Sequence, residues 1–166
     1  MPRVLSKVHV KVADEVWIVT ALLHKTHPGR SDFTVQEIME RAQEAGITAS
    51  LRPGFYVHAV QHCVANRPPN PGRYRMLFET FSGRRRLFHR GDSYDSRREG
   101  GKIVPSREDV PEQFVGLLDW YREWSALAGQ NAADSDPLLQ LRGSGRHLWA
   151  KEHADDYVRR LREGWE

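Results

Sequence analysis

The groups best able to do chemistry crowd between residues 52 and 98. His58 and His62 are four residues apart, a spacing that stacks two imidazoles on one helix face. Such a pair can hold zinc, but the segment lacks the glutamate of HExxH and no distant third ligand is evident. Contact with a base or a phosphate, or a plain surface role, accounts for the pair better, and no metal or cofactor is expected. Cys63, the one cysteine, falls among apolar residues and reads as a packed thiol, not a nucleophile. Gly100-Gly101-Lys102 lacks the GxxxxGK[ST] spacing of a phosphate-binding loop. No carboxylate pair or Ser/His/Asp grouping stands out, so no enzymatic activity is expected.

Arginine carries the stronger signal. Nine arginines stand between Arg67 and Arg98 against three acids, Glu79, Asp92 and Asp95, although the whole chain has a formal charge of only +3. Arginine forks onto phosphate and onto the guanine edge, which lysine does less well. The asymmetry therefore points to nucleic acid, with a solvated charged loop as the alternative.

Four helices and a hairpin are expected to position these groups. Lys11 to His27 carries Val12, Val16, Val19, Leu22 and Leu23 at helical spacing, broadened by Trp17 and Ile18, and Pro28-Gly29 ends it. Phe33 suits a short strand. Thr34-Val35-Gln36-Glu37 fits a capping box for a second helix that buries Val35, Ile38, Met39 and Ala42 and stops at Gly46. A third helix is expected from Pro53, capped by Ser50, to Arg67. Its inward stripe would be Val57, Val60 and Val64, flanked by Ala59 and Cys63. Arg52, Tyr56, His58, Gln61, His62, Asn66 and Arg67 would form its outer face. After the break Pro68 to Gly72, a strand alternates through Tyr74, Met76 and Phe78, and Ser82-Gly83 makes the turn. Arg84, Arg85 and Arg86 are expected on that turn, before a return strand at Leu87 to His89. A polar loop follows, with a short strand at Ile103-Val104. Pro111 then opens a fourth helix striped by Phe114, Leu117, Leu118, Tyr121, Trp124 and Ala128.

Three helices followed by a basic hairpin resemble a winged helix-turn-helix domain of the bacterial regulator type over residues 11 to about 90. The expected class is α+β and mostly helical: three helices plus a β-hairpin wing, a fourth packing helix and a C-terminal helical tail. The resemblance implies double-stranded DNA as partner. Gln61, His62 and Asn66 would reach base edges, with Arg52, Tyr56 and His58 nearer the backbone. Arg67 completes that face, and the hairpin arginines Arg73, Arg75, Arg84, Arg85 and Arg86 would serve phosphates or the adjacent minor groove. Regulators of this type are often homodimers, though no clean heptad marks a dimer interface here. A protein-docking module on the same scaffold is the main alternative, and RNA a further one.

The expected organisation is a domain over 1–128, a linker over 129–137 and a tail over 138–166. The tail joins two apolar fragments through Gly143-Ser144-Gly145, and its last helix, about ten residues long, is too short to be stable alone. Gly143, Ser144, Gly145, Leu148 and Trp149, then Tyr157, Val158, Arg159, Leu161, Arg162 and Trp165, resemble the toxin-binding segment of VapB-type antitoxins. The resemblance implies a PIN-domain ribonuclease held by Leu148, Trp149, Tyr157, Leu161 and Trp165, with Arg142 or Arg146 reaching its acidic metal site. Alternatively, the tail folds back and buries its own aromatics. No apolar run approaches the roughly 18 to 20 residues that span a bilayer. The N-terminus lacks the apolar core of a signal peptide. A cytoplasmic protein without membrane contact is the expectation.

Overall fold

A computed structural model describes residues 9–134; the side chains of 129–134 are left aside. By its internal packing the chain divides into residues 1–126 and 127–166. The elements are α1 (Val12–Thr26), β1 (Phe33–Thr34), α2 (Val35–Ala45), α3 (Phe55–Val57, continued as a π-helix over His58–His62), β2 (Leu77–Phe81), β3 (Arg84–Leu87) and α4 (Gly116–Asp134). Together they make an α+β fold with a small antiparallel sheet of order β1-β3-β2. Among the described residues no helix is long and apolar enough to cross a membrane.

α1 is the central post. Residues Ala13 through Ala21 are all buried, so the helix is packed on every side and not along one stripe. That includes Asp14 and Glu15, acids that burial would expel unless they were paired. Lys102 Nζ lies 2.9 Å from Asp14, and Arg52 closes on Glu15 with an Nε bond of 2.7 Å. Arg52 also donates to the Val10 carbonyl at 2.8 Å. It therefore anchors the α3 entry to α1.

α2 forms as its sequence dictates. Thr34 Oγ1 accepts from the Glu37 amide at 3.1 Å, and Glu37 Oε2 accepts from the Thr34 amide at 2.8 Å, completing the capping box. Gly46 ends the helix in the left-handed region at φ 60°, where a side chain would be strained. Val35, Ile38 and Ala42 are buried as expected, and Met39 partly so.

α3 departs from expectation in its start, its end and its buried face. It starts at Phe55 behind Gly54 at φ 89°, and Ser50 does not cap it. It stops at Cys63, not Arg67, because the next residues are drawn to β2. The Cys63 carbonyl accepts from the amides of Met76 (3.1 Å) and Leu77 (2.9 Å), and the Ala65 amide donates to the Leu77 carbonyl at 2.8 Å. This strand-like pairing, bridged at Val64 and Leu77, competes with helical bonds and wins. The buried stripe is Phe55, Ala59 and Cys63, while Val57 is exposed and Val60 half-buried.

The hairpin turns at Ser82-Gly83 as expected, but with a two-residue loop. Arg84, Arg85 and Arg86 therefore lie in β3, the middle strand, and not on the turn. No strand forms at Ile103-Val104. The fourth helix is preceded by a short 3-10 turn at Glu112–Phe114, begins at Gly116 and extends through Asp134, into the expected linker. Leu117, Leu118 and Tyr121 are buried; Trp124 stacks on Trp120 and tilts against His24.

His24 is buried against Phe33 and Trp124, and its Nε2 accepts the Leu87 amide at 3.3 Å. Burial, then the nearby Arg86 charge, lowers its pKa to about 4. Its contribution is complete above its unfolded pKa of roughly 6.5 and is lost as pH falls towards 4, because only the unfolded chain takes the proton in that window. Urea unfolding should weaken by up to about 1.4 kcal/mol per pH unit across it. His24→Gln, which keeps an acceptor for Leu87, should flatten that slope; an unchanged slope would assign the titration elsewhere.

Candidate nucleic-acid interface

The arginine-rich block is mostly engaged within the protein, and two of its members, Arg85 and Arg98, are buried. β3 alternates, so Arg85 points to the core, 1% exposed, while Arg84 and Arg86 point the other way. Arg85 NH1 donates to Glu79 at 3.0 Å and to the Arg84 carbonyl at 2.9 Å, and Nε donates to the Ala59 carbonyl at 3.2 Å. This ties the hairpin to the back of α3. Arg67 makes a bidentate pair with the same Glu79 carboxylate, 2.6 and 2.8 Å. Two guanidiniums share one acid, and the Arg67 hydrogen bonds hold the Glu79 pKa below the usual carboxylate range.

Most of the remaining arginines are engaged in similar ways. Arg86 is bidentate to Asp92 at 2.6 Å on both arms and lies over the Phe78 ring. Arg84 donates to Asp32 at 2.7 Å, and Arg97 pairs with Asp95 at 2.9 Å. Arg75 lies 4.3 Å over the Tyr94 ring, with a long bond to the Gly101 carbonyl. Among the described residues only Arg73 and Arg90 of the block are exposed and make no side-chain hydrogen bond or ion pair.

Arg98 was not singled out by the sequence. It is fully buried, and among the described residues no carboxylate pairs with it. Nε donates to the Arg67 carbonyl (2.6 Å), NH1 to His62 (2.8 Å) and Tyr74 (2.7 Å), and NH2 to Gln61 (2.8 Å) and Pro68 (3.3 Å). All five N–H groups of the guanidinium are therefore satisfied by backbone oxygens. Two of those oxygens end the π-helix, where carbonyls lack partners and the helix dipole is negative. The other three belong to the loop that follows. Burial lowers the Arg98 pKa, yet a guanidinium in this setting stays charged. Gly101 makes the placement possible: a Cβ there would lie 2.0 Å from the Arg73 carbonyl oxygen.

The outer face of α3 is partly as expected. Tyr56 is 58% exposed and Val57 is exposed beside it. His58 Nδ1 donates to the Gly54 carbonyl at 2.8 Å. His58 and His62 meet edge to face at 4.8 Å. Burial, and then the neighbouring His58, lowers the His62 pKa. Among the described residues no group of three or more His, Cys, Asp or Glu converges as a metal site. Gln61 donates to the Pro68 carbonyl at 2.5 Å. Asn66 pairs with the Glu79 backbone in both directions, at 2.9 Å each. Both amides thus hold the loop and hairpin. Cys63 is buried and burial pushes its thiol pKa up, away from reactivity.

Of the expected DNA-facing set, the structure brings His58 and His62 together, leaves Tyr56 exposed elsewhere on the helix, and leaves Arg73 outside. Arg52, Arg67, Arg84, Arg85 and Arg86 are in internal pairs. Arg142, Arg146, Leu148, Trp149, Tyr157, Leu161 and Trp165 lie outside the described residues. Comparison with family models, characterised proteins and solved structures finds no significant match.

Proposed function

We propose that this chain is a double-stranded DNA-binding protein of the winged-helix type, acting as a regulator. The order α1-β1-α2-α3-β2-β3, with β3 between β1 and β2, carries the proposal, because it sets a hairpin beside an exposed short helix. Tyr56, His58 and His62 are then the groups offered to bases, and Arg73 and Arg90 to phosphates. The resemblance of residues 138–166 extends the proposal to an autoregulating antitoxin that holds a PIN-domain toxin by its tail. A cytoplasmic location and a homodimer belong to the same proposal.

The test is fluorescence anisotropy of the full chain on a mixed-sequence duplex, starting near about 50 mM salt. Binding should weaken with salt, and Arg73→Ala and Arg90→Ala should each make the log–log slope shallower by about 0.9. No binding at low salt would withdraw the proposal. The second reading is a protein-docking adaptor on this scaffold. It is favoured by the inward pairing of Arg67, Arg84, Arg85 and Arg86 and by the exposed Tyr56 and Val57. It expects a partner that stays bound at high salt and is lost when residues 138–166 are removed.

A further inference from the structure

Phe81 is 74% exposed, the most exposed large apolar side chain among the described residues. It sits at the hairpin tip, next to the small turn Ser82-Gly83. Two residues beyond Glu79, it would share the inward face of Leu77 and Glu79 in an unbroken ladder. The ladder is broken: Glu79 faces Arg85 and Phe81 faces Arg84, so Thr80 is an extra residue. Such a bulge re-aims the side chain that follows it.

The tip is also tied down. Thr80 Oγ1 donates to Asp32 at 2.7 Å, and Arg84 Nε donates to the other oxygen of Asp32 at 2.7 Å. The Val35 amide donates to the Gly83 carbonyl at 3.0 Å, which fixes the turn to the start of α2. A ring with two rotatable bonds, on a tip held at three points, loses little freedom on binding. Nothing here supports a phosphate clamp at the tip, since Arg84 faces Asp32 and Arg85 is buried.

We propose that Phe81 is an apolar wedge that enters the minor groove of duplex DNA and unstacks a base step. This rests on the DNA-binding reading above and names how the wing would act within it. Apolar wedges of this kind part neighbouring bases and bend the duplex, and pyrimidine–purine steps yield most easily. The small turn beside the ring lets the tip fit a narrow groove.

The experiment uses the full chain and a duplex just long enough for one protein. The duplex carries a fluorophore pair at its ends and 2-aminopurine at its pyrimidine–purine steps. Wild type should raise 2-aminopurine emission and shorten the end-to-end distance. Phe81→Ala should bind about tenfold more weakly with neither change, and Phe81→Leu should keep most of both. Because the ring is exposed, the urea midpoint of Phe81→Ala should match wild type, which separates loss of the wedge from loss of the fold. Binding without either optical change, or with both retained in Phe81→Ala, overturns the wedge and leaves DNA binding standing. No binding by wild type at low salt overturns both.

Discussion

Arg98→Ala should destabilise the domain by about 4 kcal/mol in urea unfolding, because removal of one buried guanidinium takes the donor from five part-buried carbonyls, of which those of Gln61 and Pro68 keep another, and leaves a cavity. A domain of this size has roughly 5–15 kcal/mol in total, so the variant should be marginally folded at best. Arg98→Lys is the informative companion. A lysine keeps the charge but offers three donors from a single point, and the five oxygens are spread around a planar fork. It should fall between wild type and alanine. A loss under about 1 kcal/mol in Arg98→Ala would mean that water or the backbone replaces the arginine, and that the loop over 61–74 is held by something else.

Glu79→Gln should cost about 3 kcal/mol, since it leaves the buried Arg85 charge uncompensated. Arg67 shares the same carboxylate but is about one-third exposed, so it can turn to water and should add little. Replacing Arg85 with Met in the Glu79→Gln background should recover part of the loss, because the orphaned charge is then gone. Arg84→Ala is the contrast: its pair with Asp32 is partly exposed and should be worth no more than about 1 kcal/mol. Equal losses for Glu79→Gln and Arg84→Ala would show that burial does not set the ranking. The two experiments bear on function as well, since Arg85 and Arg98 hold the back and the end of the helix that carries Tyr56 and His58.

Local physics made α1, α2, the Ser82-Gly83 turn and the Leu117, Leu118 and Tyr121 stripe legible in the sequence. The Thr34–Glu37 box is the clearest case, because both partners lie within four residues of one another. α3 was not legible, because its end is decided by Leu77, fourteen residues beyond Cys63, and by Arg98, further still. Its register misled for the same reason: Val57 and Val60 match an apolar stripe, but Phe55, Ala59 and Cys63 take the core. The arginine block misled in a different way. Composition reports charge and not orientation, and one missed cue would have corrected it. A two-residue hairpin loop sends the chain straight back into strand, so three arginines after Gly83 must alternate, and the middle one lands inside opposite Glu79. For Arg98 no local cue exists, since its partners are carbonyls of residues far back in the chain.

The pairing of residues 63–66 with β2 has a consequence for self-association. A hairpin strand at the rim of a sheet exposes a row of amides and carbonyls that a second chain can copy. Here the backbone of Cys63 and Ala65 occupies that row at Leu77, and the Asn66 carboxamide occupies it at Glu79, taking the donor and the acceptor at once. β1, on the other side, is only two residues long. Both rims of this sheet therefore offer a stray strand little backbone to pair with, and Asn66, expected to read a base, instead closes the β2 rim at Glu79.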